Sequence, residues 1–192
     1  MSRSLFVDLG HSNRYPGADG RRFGGKTEIE WTRAIWKSLE PLIDRKKWTI
    51  FLVPTDFAED VKLGQTSNGQ LVRRIRWINA RYTPGSYLLS IHGNANNNPT
   101  ARGVATCFYG GSRAAELAAT ALSKSYAQAT GVPLWSGGAF DDRRNRYGRI
   151  GMVRDTKPFA LLLEAGFVTN KLDMLTKPQD AAKGIANYFN KL

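Results

Sequence analysis

The sequence predicts an α/β fold in which helices cover both faces of a sheet. Two patterns in its 192 residues predict this class. Strand signals alternate with helix signals along the chain, an order typical of α/β domains. The strand segments are short runs rich in Val, Ile, Leu and Phe, as expected of strands buried on both faces of a parallel or mixed sheet. No repeat or linker divides the chain, so we expect a single domain over residues 1–192.

The elements are predicted in the following order. Apolar runs predict strands near residues 4–9, 48–53, 86–91, 103–108, 149–153 and 159–163. Helical periodicity predicts helices at about 28–43, 69–81, 112–129 and 178–191. Clusters of Gly, Pro and Asn predict loops at 12–20, 93–99 and 136–138.

The charge of the chain favours polyanionic partners. Lys and Arg number 28 against 16 Asp and Glu, which gives a formal net charge of +12. Nucleic acid, an anionic membrane surface and an anionic cell-wall polymer would all suit this charge. Basic residues cluster at 21–22, 73–76 and 141–149, without any signature of a nucleic-acid-binding fold. We therefore expect no specific nucleic-acid partner, and most of the charge is expected to be solvated surface.

Cysteine content and the first residues exclude two further classes. A single cysteine, Cys107, rules out a disulfide framework. It lies in a predicted strand and is interpreted as a small buried hydrophobe, although a Cys–His dyad stays formally open. The first apolar stretch is too short for a signal peptide or a membrane span. Synthesis in the cytoplasm without a signal peptide is the expectation.

Three predicted strands end in residues that could hold or assist a metal. The apolar runs 5–9 and 87–91 lead to His11 and His92, the only two histidines, and the run 159–163 leads to Glu164. The carboxyl ends of parallel strands share one edge of the sheet, where open α/β sheets place their ligand sites. Two histidines and a carboxylate are a common ligand set of catalytic zinc. The pattern indicates a metal-dependent hydrolase.

The third metal ligand is predicted from the first helix. Ile35, Leu39 and Leu42 form an apolar stripe that should face the sheet, and Glu28 extends it towards the start of the helix. Glu30 lies about 200° around the helix from Glu28. Glu28 should therefore point inward, although an acidic residue in the first turn of a helix is also favoured by the helix dipole alone.

Three further polar residues have candidate roles beside these ligands. Asp8 competes as a ligand but should face away from His11, so it is interpreted as a hydrogen-bonding partner of a ligand or loop. Glu164 emerges from apolar surroundings that should raise its pKa, which suits a general base; the alternative is a structural carboxylate paired with arginine. Asn94 could orient a ligand or substrate, or simply form a turn.

These motifs together resemble a known enzyme family. Residues 7–11, Glu28 at the start of a helix, and the stretches 90–95 and 162–170 occur in the order found in zinc-dependent N-acetylmuramoyl-L-alanine amidases, type 3. The family commonly has proline and glycine where Leu9 and Ser12 stand here, and alanine where Gly93 stands. The stretch 134–148 matches no family motif.

The resemblance implies a structure, a cofactor and a reaction. The fold would be a three-layer α/β/α sandwich with a mixed, mostly parallel six-stranded sheet. His11, Glu28 and His92 would hold one Zn²⁺ per chain, and Glu164 would be the catalytic glutamate. The substrate would be peptidoglycan, cleaved at the amide between N-acetylmuramic acid and L-alanine.

The biological setting is predicted from charge and compactness. A compact, basic chain without an export signal is typical of a phage or prophage endolysin, a bacteriolytic enzyme that reaches the cell wall after release through a membrane lesion. Its positive surface could bind anionic envelope polymers. The alternatives are a host or toxin-type cell-wall amidase and, less favoured, a non-catalytic wall-binding or nucleic-acid-binding protein. The sequence leaves the host, the stem-peptide type and the oligomeric state open.

Overall fold

A computed structural model describes residues 2–55, 67–144 and 148–192 and places six strands of this part of the chain in one mixed sheet. The strands are β1 (Arg3–Asp8), β2 (Trp48–Leu52), β3 (Tyr87–Asn94), β4 (Val104–Phe108), β5 (Leu134–Asp141) and β6 (Phe159–Phe167). Their spatial order is β2-β1-β3-β6-β4-β5. Every neighbouring pair is parallel except β4 and β6, which are antiparallel. The predicted mostly parallel sheet is confirmed.

Helices lie on both sides of this sheet. Within the described residues they are α1 (Glu28–Leu39), α2 (Ser67–Asn79), α3 (Arg113–Thr130), α4 (Gly151–Arg154), α5 (Lys171–Met174) and α6 (Pro178–Phe189). The larger apolar core joins α1, α3 and α6 to one face, and a smaller core joins α2 and α4 to the other. The three-layer α/β/α architecture follows from this division.

Alternation along β1 explains why its residues 5–7 form a continuous apolar run. Leu5 and Val7 are fully buried in the larger core, while Phe6 is fully buried in the smaller core on the opposite face. Successive side chains of a strand point to opposite faces. Because helices cover both faces, residues 5–7 are buried on either side of the sheet and none of them is polar.

Local signals set the boundaries of two long helices. At the start of α1, the Glu30 carboxylate accepts hydrogen bonds from Thr27 N at 2.9 Å and Thr27 Oγ1 at 2.8 Å. At the start of α3, Ser112 Oγ accepts a hydrogen bond from Ala115 N at 3.2 Å. These contacts satisfy polar groups at the first turn, where backbone N–H groups lack helical partners.

The predicted strand near 149–153 is wrong. Gly151–Arg154 forms a short helix instead, with Met152 and Val153 buried against the sheet. A short apolar run does not distinguish a strand from a buried helical turn. The prediction for Leu42 is also wrong, because α1 stops at Leu39 and Leu42 is 41% exposed in the 3-10 turn that follows.

The strand β5 includes residues where the sequence predicts a loop. β5 contains Ser136–Gly138 within Leu134–Asp141, and its register against β4 shifts between the pairs Val104–Leu134 and Thr106–Ala139. Ser136, Gly137 and Gly138 all have positive φ. The glycines thus form a bulge inside a strand rather than ending it.

Two strands also extend past their predicted ends. β3 continues to Asn94 and β6 continues to Phe167, so His92 and Glu164 lie within strands. The two residues are register partners, and Glu164 is also paired with Ala105 of β4. Pairing on both sides of β6 keeps this segment in the sheet beyond the last predicted apolar residue.

Two further features of the fold concern Cys107 and the character of the helices. Cys107 is fully buried in β4, and burial raises the pKa of its thiol, which agrees with its interpretation as a small hydrophobe. Across 2–55, 67–144 and 148–192, none of the helices has the length and apolar character needed to span a bilayer.

Candidate metal centre

The site is formed at the carboxyl edge of three adjacent strands. β1, β3 and β6 are parallel neighbours in the middle of the sheet. His11 follows β1, His92 lies near the end of β3, and Glu164 is the register partner of His92 on β6. The topology therefore brings to one edge the three residues that the strand patterns singled out.

His11, Glu28 and His92 form a compact cluster of metal-ligating groups. Their ligand atoms all lie within 4.8 Å of one another. Glu28 Oε1 is 3.0 Å from His11 Nε2 and 2.9 Å from His92 Nδ1. The two imidazole rings have their centroids 5.1 Å apart. One carboxylate oxygen thus lies between two imidazole nitrogens.

The first turn of α1 presents Glu28 to this cluster. Glu28 is 3% exposed, whereas Glu30 is exposed, which is the orientation predicted from the helical stripe. Backbone N–H groups hold both Glu28 oxygens: Gly93 N donates to Oε1 and Ala18 N donates to Oε2, each at 3.0 Å. The carboxylate is therefore fixed by the loop that follows His11 and by the last residues of β3.

The two histidines of the cluster favour the ionised form of the Glu28 carboxylate. Burial opposes the charge on Glu28, but its hydrogen bonds with His11 and His92 outweigh burial and lower its pKa. Burial also disfavours a charged His92, yet Glu28 and, to a smaller extent, Glu164 raise the pKa of that imidazole. The site thus attracts positive charge, as a cation-binding site must.

Two glycines let the backbone approach the ligands closely. A Cβ atom at Gly10 would lie 2.6 Å from His92 Cε1, and one at Gly17 would lie 2.4 Å from Glu28 Oε2. Both glycines have left-handed backbones, with φ of 77° and 80°. Any other residue would push against a ligand side chain and strain the backbone. Neither glycine was predicted to have a role in the site, although Gly10 lies near a predicted site loop and Gly17 lies within it.

Asp8 lies outside the cluster and supports it from below. It is fully buried, and its carboxylate accepts hydrogen bonds from Arg74 at 2.9 Å, Ser90 Oγ at 2.6 Å and Gly10 N at 3.2 Å. Through Gly10 it fixes the backbone that packs against His92. Arg74 and Ser90 were not predicted to take part, and Arg74 is a buried exception to the expectation that most of the charge is solvated surface.

Glu164 is half-buried and has one buried, unpaired oxygen. Burial raises its pKa to about 7; the nearby His92 opposes this shift, and Glu28 adds to it. Its Oε2 atom is buried and has no hydrogen-bond partner in the described part of the chain. No ion pair joins Glu164 to any described arginine, so the interpretation as an Arg-paired structural carboxylate finds no support there.

Asn94 has both of the features that the sequence left open. Its amide oxygen accepts a hydrogen bond from Ala95 N at 2.8 Å, which is typical of a residue that stabilises a turn. It also lines a cavity together with Glu164.

Two cavities flank the cluster. A cavity of about 610 Å³ is lined by residues that include Asn94, Trp135, Phe140, Arg144, Ile150 and Glu164. A second cavity of about 750 Å³ is lined by residues that include Gly10, His11, Arg74, His92, Arg149 and Ile150. Ile150 borders both, so the ligand cluster and Glu164 open onto neighbouring parts of one surface. Trp135 and Ile150 were not predicted at the site, since neither lies in a recognised motif.

The donor set fits zinc. Two imidazole nitrogens and one carboxylate oxygen are the protein ligands of many catalytic zinc sites, which keep a fourth position for water or substrate. Here the three donors converge from β1, α1 and β3, and His11 and His92 border a cavity that could admit a fourth ligand. Because its pKa is lowered, the Glu28 carboxyl group is ionised and provides the anionic oxygen that such a site needs.

Comparisons with known proteins identify the family and the fold. The family model described as N-acetylmuramoyl-L-alanine amidase matches residues 5–190. A comparison with curated protein sequences found no match.

Solved structures share the fold over nearly the whole chain. The catalytic domain of CwlV, an N-acetylmuramoyl-L-alanine amidase from Bacillus (Paenibacillus) polymyxa var. colistinus, is 22% identical with a TM-score of 0.76, covering 98% of this chain and 97% of that one. An N-acetylmuramoyl-L-alanine amidase from Clostridium difficile 630 is 20% identical with a TM-score of 0.77, covering 99% and 96%. The catalytic domain of the CD27L endolysin, which targets Clostridia difficile, is 21% identical with a TM-score of 0.71, covering 98% and 97%. With a family match over nearly its full length, the chain belongs to the N-acetylmuramoyl-L-alanine amidases of type 3, enzymes that act on peptidoglycan.

Proposed function

We propose that this amidase is zinc-dependent and cleaves the amide between the lactyl group of N-acetylmuramic acid and L-alanine. His11, Glu28 and His92 hold one Zn²⁺ per chain, and Glu164 is the catalytic base and acid. The observation that carries the proposal is the buried, unpaired Oε2 atom of Glu164 beside a His–Glu–His cluster. Enzymes of this family generally depend on zinc, which supports the choice of metal.

The chain's own residues have distinct roles in this reaction. Zinc, when bound, supplies a Lewis acid that polarises the scissile carbonyl and makes an attacking water more acidic. Glu164 takes a proton from that water, because its raised pKa makes it a better base than an ordinary carboxylate. It then returns the proton to the alanine nitrogen as the amide bond breaks. Asp8 keeps the Gly10 backbone against His92, and Asn94 lines the cavity in position to orient substrate.

The reaction is tested directly on purified peptidoglycan. Incubation should release new L-alanine amino termini, while DNA incubated in parallel should remain intact. Chelation should stop the release and added Zn²⁺ should restore it. Cut DNA, or peptidoglycan without new L-alanine termini, would contradict the proposal.

We also propose a phage or prophage endolysin as the biological setting, with residues 1–192 as a single catalytic domain. The net charge of +12, which favours attraction to anionic envelope polymers, supports this setting, as does the likeness to an endolysin catalytic domain. Bacteria that produce the protein should stay intact until their membrane is permeabilised and should then lyse, whereas Glu164→Gln should not lyse them. Lysis without permeabilisation would favour a host or toxin-type amidase instead.

A further inference from the structure

The cavity that contains Glu164 has one positively charged wall. Among its described lining residues, Glu164 is the only acid and Arg144 the only base. Amide and hydroxyl groups of Asn94, Asn96, Asn97 and Ser136 provide further polar lining, and Trp135 offers an aromatic face. A ligand in this cavity would meet the proposed catalytic carboxylate and a guanidinium together.

Arg144 differs from the arginines around it. Three neighbours that the structure describes each bind a carboxylate, in the pairs Arg143–Asp141, Arg149–Asp155 and Arg154–Asp142. The Arg144 side chain, by contrast, makes no hydrogen bond or ion pair with the part of the chain that the structure describes. A guanidinium is always charged and presents a planar fork of donors that matches a carboxylate. Arg144 therefore has its full binding capacity available to a ligand.

Arg144 is positioned to bind a group of the stem peptide that lies beyond the scissile bond. It borders the cavity of Glu164 and also a second cavity of about 350 Å³ at the start of α3. Two extended residues span about 7 Å. The carboxylate of the second stem residue would therefore lie about 7 Å from an amide held at Glu164. That distance lies within the reach of a long arginine side chain on the wall of the same cavity.

We propose that Arg144 binds the carboxylate of the second stem residue and makes the enzyme select stems in which this carboxylate is free over stems in which it is amidated. The inference rests on the proposed function, because it places the alanine amide at Glu164. A carboxamide has one acceptor oxygen and no charge, so it forgoes the charge-assisted, two-bond contact that a carboxylate makes with arginine.

The test uses two synthetic glycan-peptides that differ only at this group. Both carry N-acetylmuramic acid, L-alanine, a D-glutamyl second residue, lysine third and a C-terminal amide, so that the second-residue carboxylate is the only one. In one substrate this carboxylate is free and in the other it is a carboxamide. The wild-type zinc enzyme should cleave the free acid with a kcat/KM roughly tenfold higher, the size expected for one charge-assisted contact.

Three variants separate recognition from general electrostatics. Arg144→Gln should lose the preference, through a higher KM for the free acid and an unchanged kcat/KM for the amide. Arg144→Lys should restore part of the preference, since it keeps the charge without the planar fork. Arg143→Gln is the matched control, because it removes the same charge from the next residue, whose side chain is paired with Asp141; it should keep the preference.

Each other outcome overturns a specific claim. If the wild-type enzyme cleaves both substrates equally, or if Arg144→Gln slows both by the same factor, Arg144 does not read this carboxylate. Equal losses in Arg144→Gln and Arg143→Gln would indicate attraction to anionic polymer in general. If the wild-type enzyme releases L-alanine termini from neither substrate nor from whole peptidoglycan, the proposed function itself fails.

Discussion

His92 and Glu164 are register partners on the adjacent parallel strands β3 and β6. Directly paired residues project from the same face of a sheet, about one strand spacing apart. The proposed metal ligand and the proposed base are thus positioned by the backbone hydrogen bonds of central strands, not by a loop. This rigid placement suits a reaction whose groups must be held in a narrow range of geometry.

Glu164→Gln should abolish hydrolysis and spare the metal. We expect kcat to fall by about 10² to 10⁴, the range for loss of a general acid–base group. Zinc stoichiometry should stay at one per chain, measured by metal analysis after dialysis. Glu40→Gln, which changes an exposed carboxylate paired with Arg45, is the control and should keep full activity. Wild-type kcat in Glu164→Gln would remove this residue from the mechanism.

Glu164 should also make the metal-free protein less stable at higher pH. Its pKa rises from 4.5 to about 7 on folding, so the folded state holds a proton that the unfolded state has already lost. Stability should therefore fall as pH rises from about 4.5 to 7, by up to about 3 kcal/mol.

Urea unfolding of chelated protein at pH 5 and pH 8 measures this effect. Glu164→Gln should be more stable than wild type at pH 8, and the difference should shrink at pH 5. An unchanged difference between the two pH values would show that burial does not raise the pKa of Glu164 on folding.

Removal of a histidine ligand should remove both zinc and activity. His11→Ala or His92→Ala leaves two of three protein ligands, too few for a stable catalytic zinc site. Calorimetric titration with Zn²⁺ should show weak or no binding, and peptidoglycan hydrolysis should be lost. Full zinc affinity in either variant would show that the cluster does not bind the metal as proposed.

Gly17→Ala should weaken zinc binding for a steric reason. Its Cβ would lie 2.4 Å from Glu28 Oε2 and 2.6 Å from His11 Cδ2, so a ligand must move. Gly24→Ala is the matched control: its φ of 78° is nearly that of Gly17, but its Cβ would meet no atom within 4 Å. Both variants should lose about 1 kcal/mol of folding stability, and only Gly17→Ala should lose zinc affinity. Equal zinc affinities would contradict the close approach.

Asp8→Ala should destabilise the fold and loosen the metal. It leaves the buried Arg74 guanidinium without its carboxylate partner, a change that costs about 3 to 5 kcal/mol in buried pairs. It also frees Gly10, so zinc affinity should fall by about 10- to 100-fold. The double variant Asp8→Ala/Arg74→Met should recover part of the stability but none of the affinity. Affinity equal to wild type in both variants would assign Asp8 a purely structural role.

Local sequence patterns predicted the strands that carry the site. The central parts of β1, β3 and β6 are buried on both faces, so each reads as a mainly apolar run that leads to a polar residue. The helical stripe similarly placed Glu28 on the buried side of α1. These features were predictable because burial imposes a recognisable local pattern on the sequence itself.

The elements that were not predicted correctly lack such a pattern. β5 is interrupted by a glycine bulge at 136–138, and α4 has only four residues, too few to show helical spacing. Arg74 is similar in kind: a charged residue in a basic cluster gives no local sign that a buried Asp8 lies opposite it.

The sequence by itself determined the α/β class, the central strands, and the identities of the residues at their carboxyl ends, because these depend on patterns within a few turns of chain. Only the tertiary structure decided the strand order, the register that pairs His92 with Glu164, and the contacts of Asp8 with Arg74 and Ser90. Those relationships join residues tens of positions apart. They arise from the packing of whole elements, which no local pattern encodes.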